Sequence, residues 1–389
     1  MTALTFCLLA VCATGLGLYA TAWLVSVCWC RAASRRRPVV DHTPVTILKP
    51  LCGFDEELEE NLLSFFRIEH DQVQLVFGAA DPDDPALALV RQLARRHPDR
   101  DVAIVVGYDS DAASPKVGLL EALLPHARHE VMLLSDSNVR IGADEIGRVL
   151  PCFADPRVGM VYQPVVGVGE RTLPAAVENL HYTELAGLLS IGAALVAGQH
   201  AVNAKGQWVR RRALDDVGGF AGVRDHGADD FVLSRLVAGA GWRLRLAPVP
   251  VRIVHRDWSW RGLVQRHLRH SGLRRRICPW AYPLELLLNP LPWTLPLVAT
   301  EYAPLVPAVV TLKIILEVSA ARLLRSAPLA AVHAAAIPLK DALYFAGWFA
   351  SFTVRTVTWR GRTYAIGPGG RLAPVEPLPA AELAARPAA

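Results

Sequence analysis

The first thirty residues contain no Asp, Glu, Lys, Arg or His. An uncharged apolar stretch of this length exceeds the roughly 20 residues that a helix needs to cross a bilayer, so residues 1–30 are predicted to form a transmembrane helix. A cleaved signal peptide is disfavoured, because it would show a basic start, a shorter apolar stretch and a small-residue cleavage site. Arg31, Arg35, Arg36 and Arg37 follow this stretch. The positive-inside rule therefore predicts that the domain after them faces the cytosol.

The chain also lacks a paired cysteine pattern. Its 7 cysteines are an odd number without metal-type spacing, and Cys28 and Cys30 lie in the apolar leader. The sequence thus predicts neither a disulfide framework nor a zinc site, and it fits a reducing cytoplasmic compartment.

A large excess of charge of one sign is absent as well. The net charge is +5 over 389 residues, and the basic residues are clustered. This favours local contacts with anionic lipid head groups or phosphates and disfavours nucleic acid as a partner.

Hydrophobic residues make up 52% of the chain. Such a content leaves apolar segments for lipid beyond one large core, so a purely soluble protein is disfavoured.

Short β-rich runs alternate with helix-patterned segments between Thr43 and Pro250. The runs are Val45–Pro50, Val73–Ala79, Val102–Gly107 and Val131–Asp136. This alternation predicts an α/β fold with a mostly parallel sheet, whose buried strands form continuous apolar runs. Ligands of such sheets bind beyond the carboxyl ends of the strands, which is where Asp81 and Asp136 fall.

Asp136 follows the apolar run of the segment MLLSDSNVR, with Asn138 two residues later. A carboxylate at a strand end can stay hydrated and can hold a hard cation, Mg²⁺ or Mn²⁺, against a diphosphate. An Asx turn or a helix N-cap is the alternative explanation for this motif taken alone.

Two other acidic segments accompany it. In FGAADPDDPAL, Asp84 before Pro85 is predicted to cap a helix, which leaves Asp81 at the strand end. Asp229 and Asp230 begin an amphipathic helix, with a carboxylate at its exposed N-terminal end.

A basic segment, QRHLRHSGLRRR, follows. Arg266 and Arg269 lie one helical turn apart and can grip a phosphate pair. A juxtamembrane basic helix that touches lipid head groups is the alternative, and it suits Arg274–Arg276 better.

These segments, in this order, resemble the ceramide glucosyltransferases and their bacterial relatives. The resemblance covers about Val45 to Arg276, and the ending Thr358–Tyr364 also looks like the family's tail. The matching motifs are ADPDDPA with Asp81, SPKVGLL with Lys116, SDSNVR with Asp136, ADDF with Asp230, and RHLRH at Arg266 to His270. The family pattern is three separated aspartates followed by (Gln/Arg)-x-x-Arg-Trp in a GT-A nucleotide-sugar-binding fold. This chain departs from it at His270, which replaces the Trp, and at Asn138, where many GT-A enzymes have a second Asp.

The resemblance implies roles for the acidic residues. Asp136 would hold Mg²⁺ or Mn²⁺ on the diphosphate, beside Asn138, and Asp81 would contact the nucleoside. Asp230 would act as the general base while the acceptor hydroxyl displaces the diphosphate, with Asp229 beside it. This direct displacement inverts the anomeric configuration.

The basic residues receive roles in the same way. Arg266 and Arg269 would offset the charge that develops on the departing diphosphate, and His270 would lie on the acceptor or diphosphate side. Lys116 is either a further phosphate or sugar contact or an ordinary exposed lysine.

The chain is expected to comprise five segments. After the helix at 1–30 they are a basic linker at 31–42, a cytosolic GT-A domain at 43–278, a membrane region at 279–354, and a basic, then disordered, tail at 355–389. The uncharged stretch Leu185–Gly198 fits an interfacial or a buried core helix.

The membrane region contains three apolar runs. Leu286–Thr300 and Tyr302–Leu316 predict a helical hairpin of two spans. Ala327–Val354 has Lys340 and Asp341 near its middle, and adjacent charges there would be costly in hydrocarbon. A re-entrant or interfacial segment is therefore favoured, with a third span as the alternative.

A catalytic domain tethered to the cytoplasmic membrane at both ends is expected to act on a lipid alcohol. The resemblance implies UDP-glucose as donor and ceramide as acceptor. The alternatives are transfer of N-acetylglucosamine to a hopanoid lipid and, from a different class, a non-catalytic membrane-anchored nucleotide-sugar or lipid binding protein. A processive polysaccharide synthase is disfavoured, because it would need more spans.

Overall fold

The computed structural model describes residues 3–35, 37–38, 41–108, 110–327, 329–359 and 362–375. These residues fall into two compact units. The sheet unit is drawn from Arg36–Gln163, Val202–Ile253 and Thr356–Ala389, and the helical unit from Met1–Arg35, Pro164–Ala201 and Val254–Arg355. The predicted catalytic segment 43–278 is thus divided between the two units. Arg36, Arg360 and residues 376–389 of the tail predicted at 355–389 lie outside the described residues.

Strands and helices alternate along much of the chain. In chain order the strands are β1 Val45–Pro50, β2 Val73–Ala79, β3 Asp101–Val106, β4 Val131–Leu134, β5 Val139–Arg140, β6 Val158–Tyr162, β7 Val165–Val168, β8 Gln207–Arg210, β9 Arg243–Leu246, β10 Val251–Val254, β11 Thr356–Trp359, β12 Arg362–Ile366 and β13 Leu372–Pro374. The helices are α1 Ala3–Arg35, α2 Leu58–Phe66, α3 Pro85–Arg96, α4 Pro115–Leu123, α5 Glu145–Val149, α6 Leu173–Tyr182, α7 Ser190–Ala197, α8 Arg211–Asp215, α9 Asp229–Gly239, α10 Trp260–Ile277, α11 Leu291–Thr294, α12 Leu305–Arg325, α13 Ala331–Ala334 and α14 Ile337–Ala350.

Seven strands form the main sheet, in the order β3-β2-β1-β4-β8-β6-β9. β1 pairs in parallel with β2 and β4, β2 with β3, and β6 with β9, whereas β8 runs antiparallel to both of its neighbours. Every residue of β2 and β4 is buried, as expected for strands covered on both faces. The predicted α/β fold with a mostly parallel sheet is confirmed.

Close packing of helices on this sheet positions the strand ends. A Cβ atom added at Gly78 of β2 would lie 2.5 Å from Cδ2 of Leu123, so α4 packs on the strand where only a glycine fits. At the same edge of the sheet, the predicted helix cap is confirmed. Asp84 accepts hydrogen bonds from the backbone N–H of Ala86 at 2.9 Å and of Gly53 at 2.8 Å, and Pro85 begins α3.

Two helices of the helical unit are long and apolar enough to cross a membrane, judged by length and composition within the described residues. One is α1, with 33 residues, as predicted from the uncharged leader. The other runs through α6, a π-helical segment at Thr183–Leu189, and α7. It spans 25 residues, Leu173–Ala197, because the helix continues through Glu178 and Glu184 on the N-terminal side of the uncharged stretch.

The C-terminal apolar runs differ from the predicted hairpin. Leu286–Thr300 contains only short pieces: α11 between single 3₁₀ segments at Tyr282–Leu286 and Leu295–Ala299. Prolines 290, 292 and 296 lack the backbone N–H that a continuous helix needs. The second run is helical and continues as α12 to Arg325, and the third contains α13 and α14.

Candidate functional site

A lysine inside the first strand holds the backbone of the Asp136 loop. Because β1 and β4 are parallel and Leu48 is paired with Leu134, Lys49 and Ser135 lie at the same edge of the sheet. The fully buried Lys49 ammonium donates to the main-chain oxygen of Asp136 at 2.6 Å and lies 3.8 Å from the centre of the Phe65 ring. Burial lowers the pKa of Lys49 well below its usual range. Sequence analysis missed this residue, although a lysine within the apolar run VTILKP was a signal for it.

Lys205 is a second residue that the sequence analysis missed. Leu134 of β4 is paired with Gln207 of the antiparallel β8, so the residues just before β8 adjoin the end of β4. The Lys205 ammonium donates to Oδ2 of Asp136 at 2.5 Å and to Oδ1 of Asn138 at 3.2 Å. The two oxygens of the Asp-Ser-Asn motif therefore converge on one cationic group.

Lys116 links the strand end to helix α9. Its ammonium lies 2.7 Å from Oδ2 of Asp229 and 3.6 Å from Oδ1 of Asp136, and its side chain is 17% exposed. Of the two readings left open by the sequence, the ordinary exposed lysine is therefore wrong. Burial alone would lower the pKa of Lys116, but Asp136 and Asp229 raise it above its usual range.

Asp136 is the acidic centre of this group. Burial alone would raise its pKa, but Lys116 and Lys205 hold the pKa of this carboxyl below its usual range. Asp136 is consequently ionised throughout the physiological range. Its side chain is still 23% exposed, so part of this side chain remains accessible to a ligand.

Asp229 and Asp230 occupy the first turn of α9, as predicted. Asp230 accepts hydrogen bonds from the backbone N–H of Ala204 at 2.7 Å and of Phe231 at 2.8 Å, which fix the orientation of its carboxylate. Burial and the neighbouring Asp229 charge raise the pKa of Asp230 to about 6, against the opposing effect of Lys116. A carboxylate tuned in this way is a competent proton acceptor near neutral pH.

The structure thus brings five of the predicted residues into one group. We name it the strand-end cluster, and it comprises Asp136, Asn138, Lys116, Asp229 and Asp230 together with Lys49 and Lys205. Asp81 is exposed after β2, and among the described residues its hydrogen bonds join the backbone of its own turn, to Asp83 at 2.9 Å and to Asp84 at 3.1 Å. Its predicted contact with a nucleoside stays a prediction.

Arg266, Arg269 and His270 lie on α10. This helix belongs to the helical unit, whereas the strand-end cluster belongs to the sheet unit. Nε of Arg266 donates to Glu178 at 2.9 Å and its Nη2 donates to the hydroxyl of Tyr182 at 2.7 Å. Nη2 of Arg269 lies 3.4 Å from Nε2 of His270. Arg266 is therefore engaged by groups of its own unit.

A second charged group, the interhelical cluster, lies inside the helical unit. It comprises Glu184, Lys313, Glu317, Lys340 and Asp341. Oxygens of its three acidic side chains come within 4.8 Å of one another, a spacing that could hold a metal ion. Lys313 and Lys340 already pair with all three, at distances that include 2.7 Å for Lys313 to Glu184 and 2.6 Å for Lys340 to Glu317. The lysines thus supply the positive charge that a metal ion would bring.

The strand-end cluster has the better donor set for the predicted cation. Asp136 and Asn138 offer hard oxygen atoms of the kind that Mg²⁺ and Mn²⁺ prefer, on a partly exposed loop. Oδ2 of Asp136 and Oδ1 of Asn138 both accept hydrogen bonds from Lys205. These two side chains therefore fit such an ion once the Lys205 ammonium has moved away.

Known proteins similar to this chain include curated ceramide glucosyltransferases. Among curated proteins, ceramide glucosyltransferase 3 of Caenorhabditis elegans is 23% identical over 253 residues, covering 64% of this chain and 54% of that protein. Ceramide glucosyltransferase 1 of the same organism is 25% identical over 208 residues, covering 53% and 44%. The chain thus spans about half the length of the curated relatives it matches.

Similarity to solved structures is weaker. The mannosyltransferase PcManGT from Pyrobaculum calidifontis, in complex with GDP-Man and Mn²⁺, is 18% identical, with a TM-score of 0.47 over 88% of this chain and 99% of that one. S. aureus TarS 1–349, in complex with UDP-GlcNAc, is 12% identical, with a TM-score of 0.41 over 85% and 99%.

The sequence model of glycosyl transferase family 21 matches residues 6–372, which is nearly the whole chain. The resemblance predicted from the separated aspartates is thereby confirmed. This protein belongs to glycosyl transferase family 21.

Proposed function

We propose that this protein is an inverting glycosyltransferase that moves a sugar from a UDP-sugar to the hydroxyl of a membrane lipid. UDP-glucose is the proposed donor and ceramide the proposed acceptor, in line with the names of the curated relatives. The observation that carries the proposal is the convergence of Asp136, Lys116, Asp229 and Asp230 at one edge of an α/β sheet. Carboxylates and an ammonium group gathered beyond a strand end can hold a cation and a diphosphate at one place.

In this proposal Asp230 is the general base. Glycosyl transfer requires removal of a proton from the acceptor hydroxyl as that oxygen attacks the anomeric carbon. The backbone N–H groups of Ala204 and Phe231 hold the carboxylate of Asp230 in one orientation, and its pKa of about 6 keeps it mainly ionised at pH 7. Attack from the face opposite the diphosphate inverts the anomeric centre.

The lysines of the strand-end cluster would bind the diphosphate. Lys116, which also pairs with Asp229, provides an ammonium group beside Asp136 that is already in position to stabilise a departing diphosphate, and Lys205 carries a second ammonium group that its flexible side chain can bring to the phosphates. Asp136 and Asn138 are the residues that would hold Mg²⁺ or Mn²⁺. When bound, such an ion supplies further positive charge to the phosphate oxygens.

The remaining predicted roles rest on the family resemblance. Asp81 would contact the nucleoside, and Arg269 would contribute charge toward the diphosphate, with His270 on the same side. Arg266 pairs with Glu178 and Tyr182 and packs over the rings of Tyr182 and Trp258 at 5.5 and 5.4 Å. We therefore assign Arg266 a positioning role on α10.

We also propose that the chain is a multi-pass protein of the cytoplasmic membrane with its sheet unit in the cytosol. The 33-residue α1, whose apolar residues are exposed at Leu4, Phe6, Leu18 and Leu24, supports this proposal. The exposed Arg31 and Arg35 at its C-terminal end support the cytosolic orientation.

A donor and acceptor screen tests the activity. Membranes that contain the protein are incubated with labelled UDP-glucose or UDP-N-acetylglucosamine, each with ceramide or a hopanoid polyol, and labelled lipids are separated. Glucosylated ceramide is the expected product, and it should be absent from matched membranes that contain the Asp230→Asn variant.

The other outcomes are equally informative. An N-acetylglucosamine-labelled hopanoid would replace the proposed donor and acceptor and leave the reaction class intact. If no pair gives a lipid product while the protein still binds a UDP-sugar, the proposed activity is wrong and the protein is a binding protein.

A further inference from the structure

We propose that Lys205 is the internal counter-ion of the strand-end cluster and that it competes with a divalent metal ion for the oxygens of Asp136 and Asn138. In the donor-free protein the ammonium occupies this position, and it moves away when a metal ion enters. The inference rests on the proposed function, because it concerns the cation that would accompany the donor.

The Lys205 ammonium bridges Oδ2 of Asp136 and Oδ1 of Asn138, at 2.5 and 3.2 Å. The loop that carries these oxygens is held from other directions, because Lys49 donates to the main-chain oxygen of Asp136 and the hydroxyl of Ser137 donates to Asp55. The oxygens are therefore held in place as a preformed cation-binding pair.

Lys205 and Lys116 differ in their carboxylate partners. Lys116 lies 3.6 Å from Asp136 but has its own carboxylate partner, Asp229, at 2.7 Å. The described ion pair of Lys205 is with Asp136. A divalent ion at Asp136 would repel both ammonium groups, since like charges in a partly buried site interact strongly. Lys116 would still be neutralised by Asp229, so Lys205 is the group that leaves.

The backbone next to Lys205 limits how this residue can move. The backbone beside it is fixed, because the carbonyl oxygen of Gly206 accepts a hydrogen bond from the backbone N–H of Gln163 at 3.0 Å. A Cβ atom at Gly206 would lie 2.5 Å from Oε1 of Gln163, so this contact is also close. The exchange is therefore a rotation of the flexible lysine side chain. The released ammonium is then a mobile point charge, which suits a phosphate group.

The experiment is a titration of the full-length protein in detergent micelles with Mn²⁺ alone, without nucleotide, followed by the electron paramagnetic resonance signal of free Mn²⁺. We expect Lys205→Met to bind Mn²⁺ about tenfold more tightly than wild type, or better, because two oxygen ligands lose a competing cation and the repulsion between like charges is reduced. Lys205→Arg keeps the positive charge and should stay close to wild type. Adding Asp136→Asn to Lys205→Met should abolish the gain, which places the ion at Asp136.

Lys116→Met is the matched control. It removes one positive charge from the same cluster but leaves Asp136 and Asn138 bonded to Lys205, so its gain in Mn²⁺ affinity should be clearly smaller. An equal gain in the two variants would mean a general charge effect and would overturn the proposal. Thermal unfolding checks that each variant is folded, and Lys205→Gln replaces Lys205→Met if that variant does not fold.

Failure of this inference can be told apart from failure of the proposed function. Unchanged or weaker Mn²⁺ binding by Lys205→Met overturns the inference, as does the absence of Mn²⁺ binding in every variant, whatever the lipid screen gives. Tighter Mn²⁺ binding by Lys205→Met supports it even if no lipid is glycosylated, in which case only the proposed activity is wrong.

Discussion

The two charged clusters of this protein contain the same chemical groups in different surroundings. In the interhelical cluster, Lys313 and Lys340 are 0% and 1% exposed, and each pairs with more than one carboxylate. In the strand-end cluster, Lys205 and Lys116 are 11% and 17% exposed, and Asp136 is 23% exposed. Removing one partner of a fully buried charged group strongly destabilises the folded protein, because the remaining charge is left unpaired away from water. A partly exposed charged group can instead exchange its partner for a ligand. The difference in burial suits the interhelical cluster to a structural role and the strand-end cluster to the ligand binding that we propose.

The largest expected effect is in the strand-end cluster. If Asp230 is the general base that we propose, Asp230→Asn should lower kcat by about 10²- to 10⁴-fold, while the affinity for UDP-sugar stays nearly unchanged. Initial rates and equilibrium binding of the donor measure the two quantities. Asp99→Asn, a surface carboxylate of the same unit that is 72% exposed, is the control and should keep full activity. Equal losses of turnover and donor binding would place Asp230 in donor binding instead.

Substitutions in the interhelical cluster should change the stability of the folded protein. Lys340→Met should lower the free energy of unfolding by about 3–5 kcal/mol, because it leaves Glu184 and Glu317 buried with one cation fewer. Tryptophan fluorescence during denaturation in detergent measures this change.

A second substitution sharpens this prediction. Adding Glu317→Gln to Lys340→Met restores the charge balance of the cluster and should recover part of the loss. If Lys340→Met unfolds like the wild type, the interhelical cluster is not the structural network that we describe.

The pH dependence of the reaction tests whether the pKa of Asp230 in the strand-end cluster is raised. Burial and Asp229 raise the pKa of Asp230 to about 6, and only the ionised form of this carboxyl can accept a proton. The rate should therefore be level above about pH 7 and fall about tenfold per unit below pH 6. Measurements of kcat between pH 5 and 8 give this profile, and the residual rate of Asp230→Asn should lack this step. A level profile down to pH 5 would contradict the assignment of Asp230 as the base.

The smallest effect is expected at an exposed ion pair. Arg96 and Glu59 lie 3.3 Å apart with side chains 55% and 53% exposed. Arg96→Met should change the free energy of unfolding by less than about 1 kcal/mol, because water and salt screen such pairs. The same denaturation experiment compares it with Lys340→Met. Equal losses in the two variants would refute the distinction between buried and exposed charges.

Much of the sheet could be predicted because its signal is local. The runs that form β1 and β2 have the predicted bounds, since strands covered on both faces need continuous apolar sequence. The cap at Asp84 and the position of Asp229 and Asp230 on α9 are also local, because both follow from residues next to a helix start.

The partner of Lys49 and Lys205 could not be predicted, because it is distant from both lysines in the chain. Lys49 and Lys205 lie 87 and 69 residues from Asp136, and nothing in the sequence near either lysine points to that carboxylate. The partners of Lys340 could not be predicted from the sequence for the same reason. Charges that are costly in an apolar run become tolerable when Glu184 and Glu317 from other helices meet the lysine.

The sequence by itself determined the apolar leader, the α/β alternation and the acidic residues at the ends of strands and helices, because periodicity and composition act over a few neighbouring residues. Only the tertiary structure decided which charges meet, that three lysines surround Asp136, and that Arg266 pairs with Glu178. The reason is physical: the state of a charged group depends on burial and on partners within a few ångströms, and folding brings those partners from distant parts of the chain.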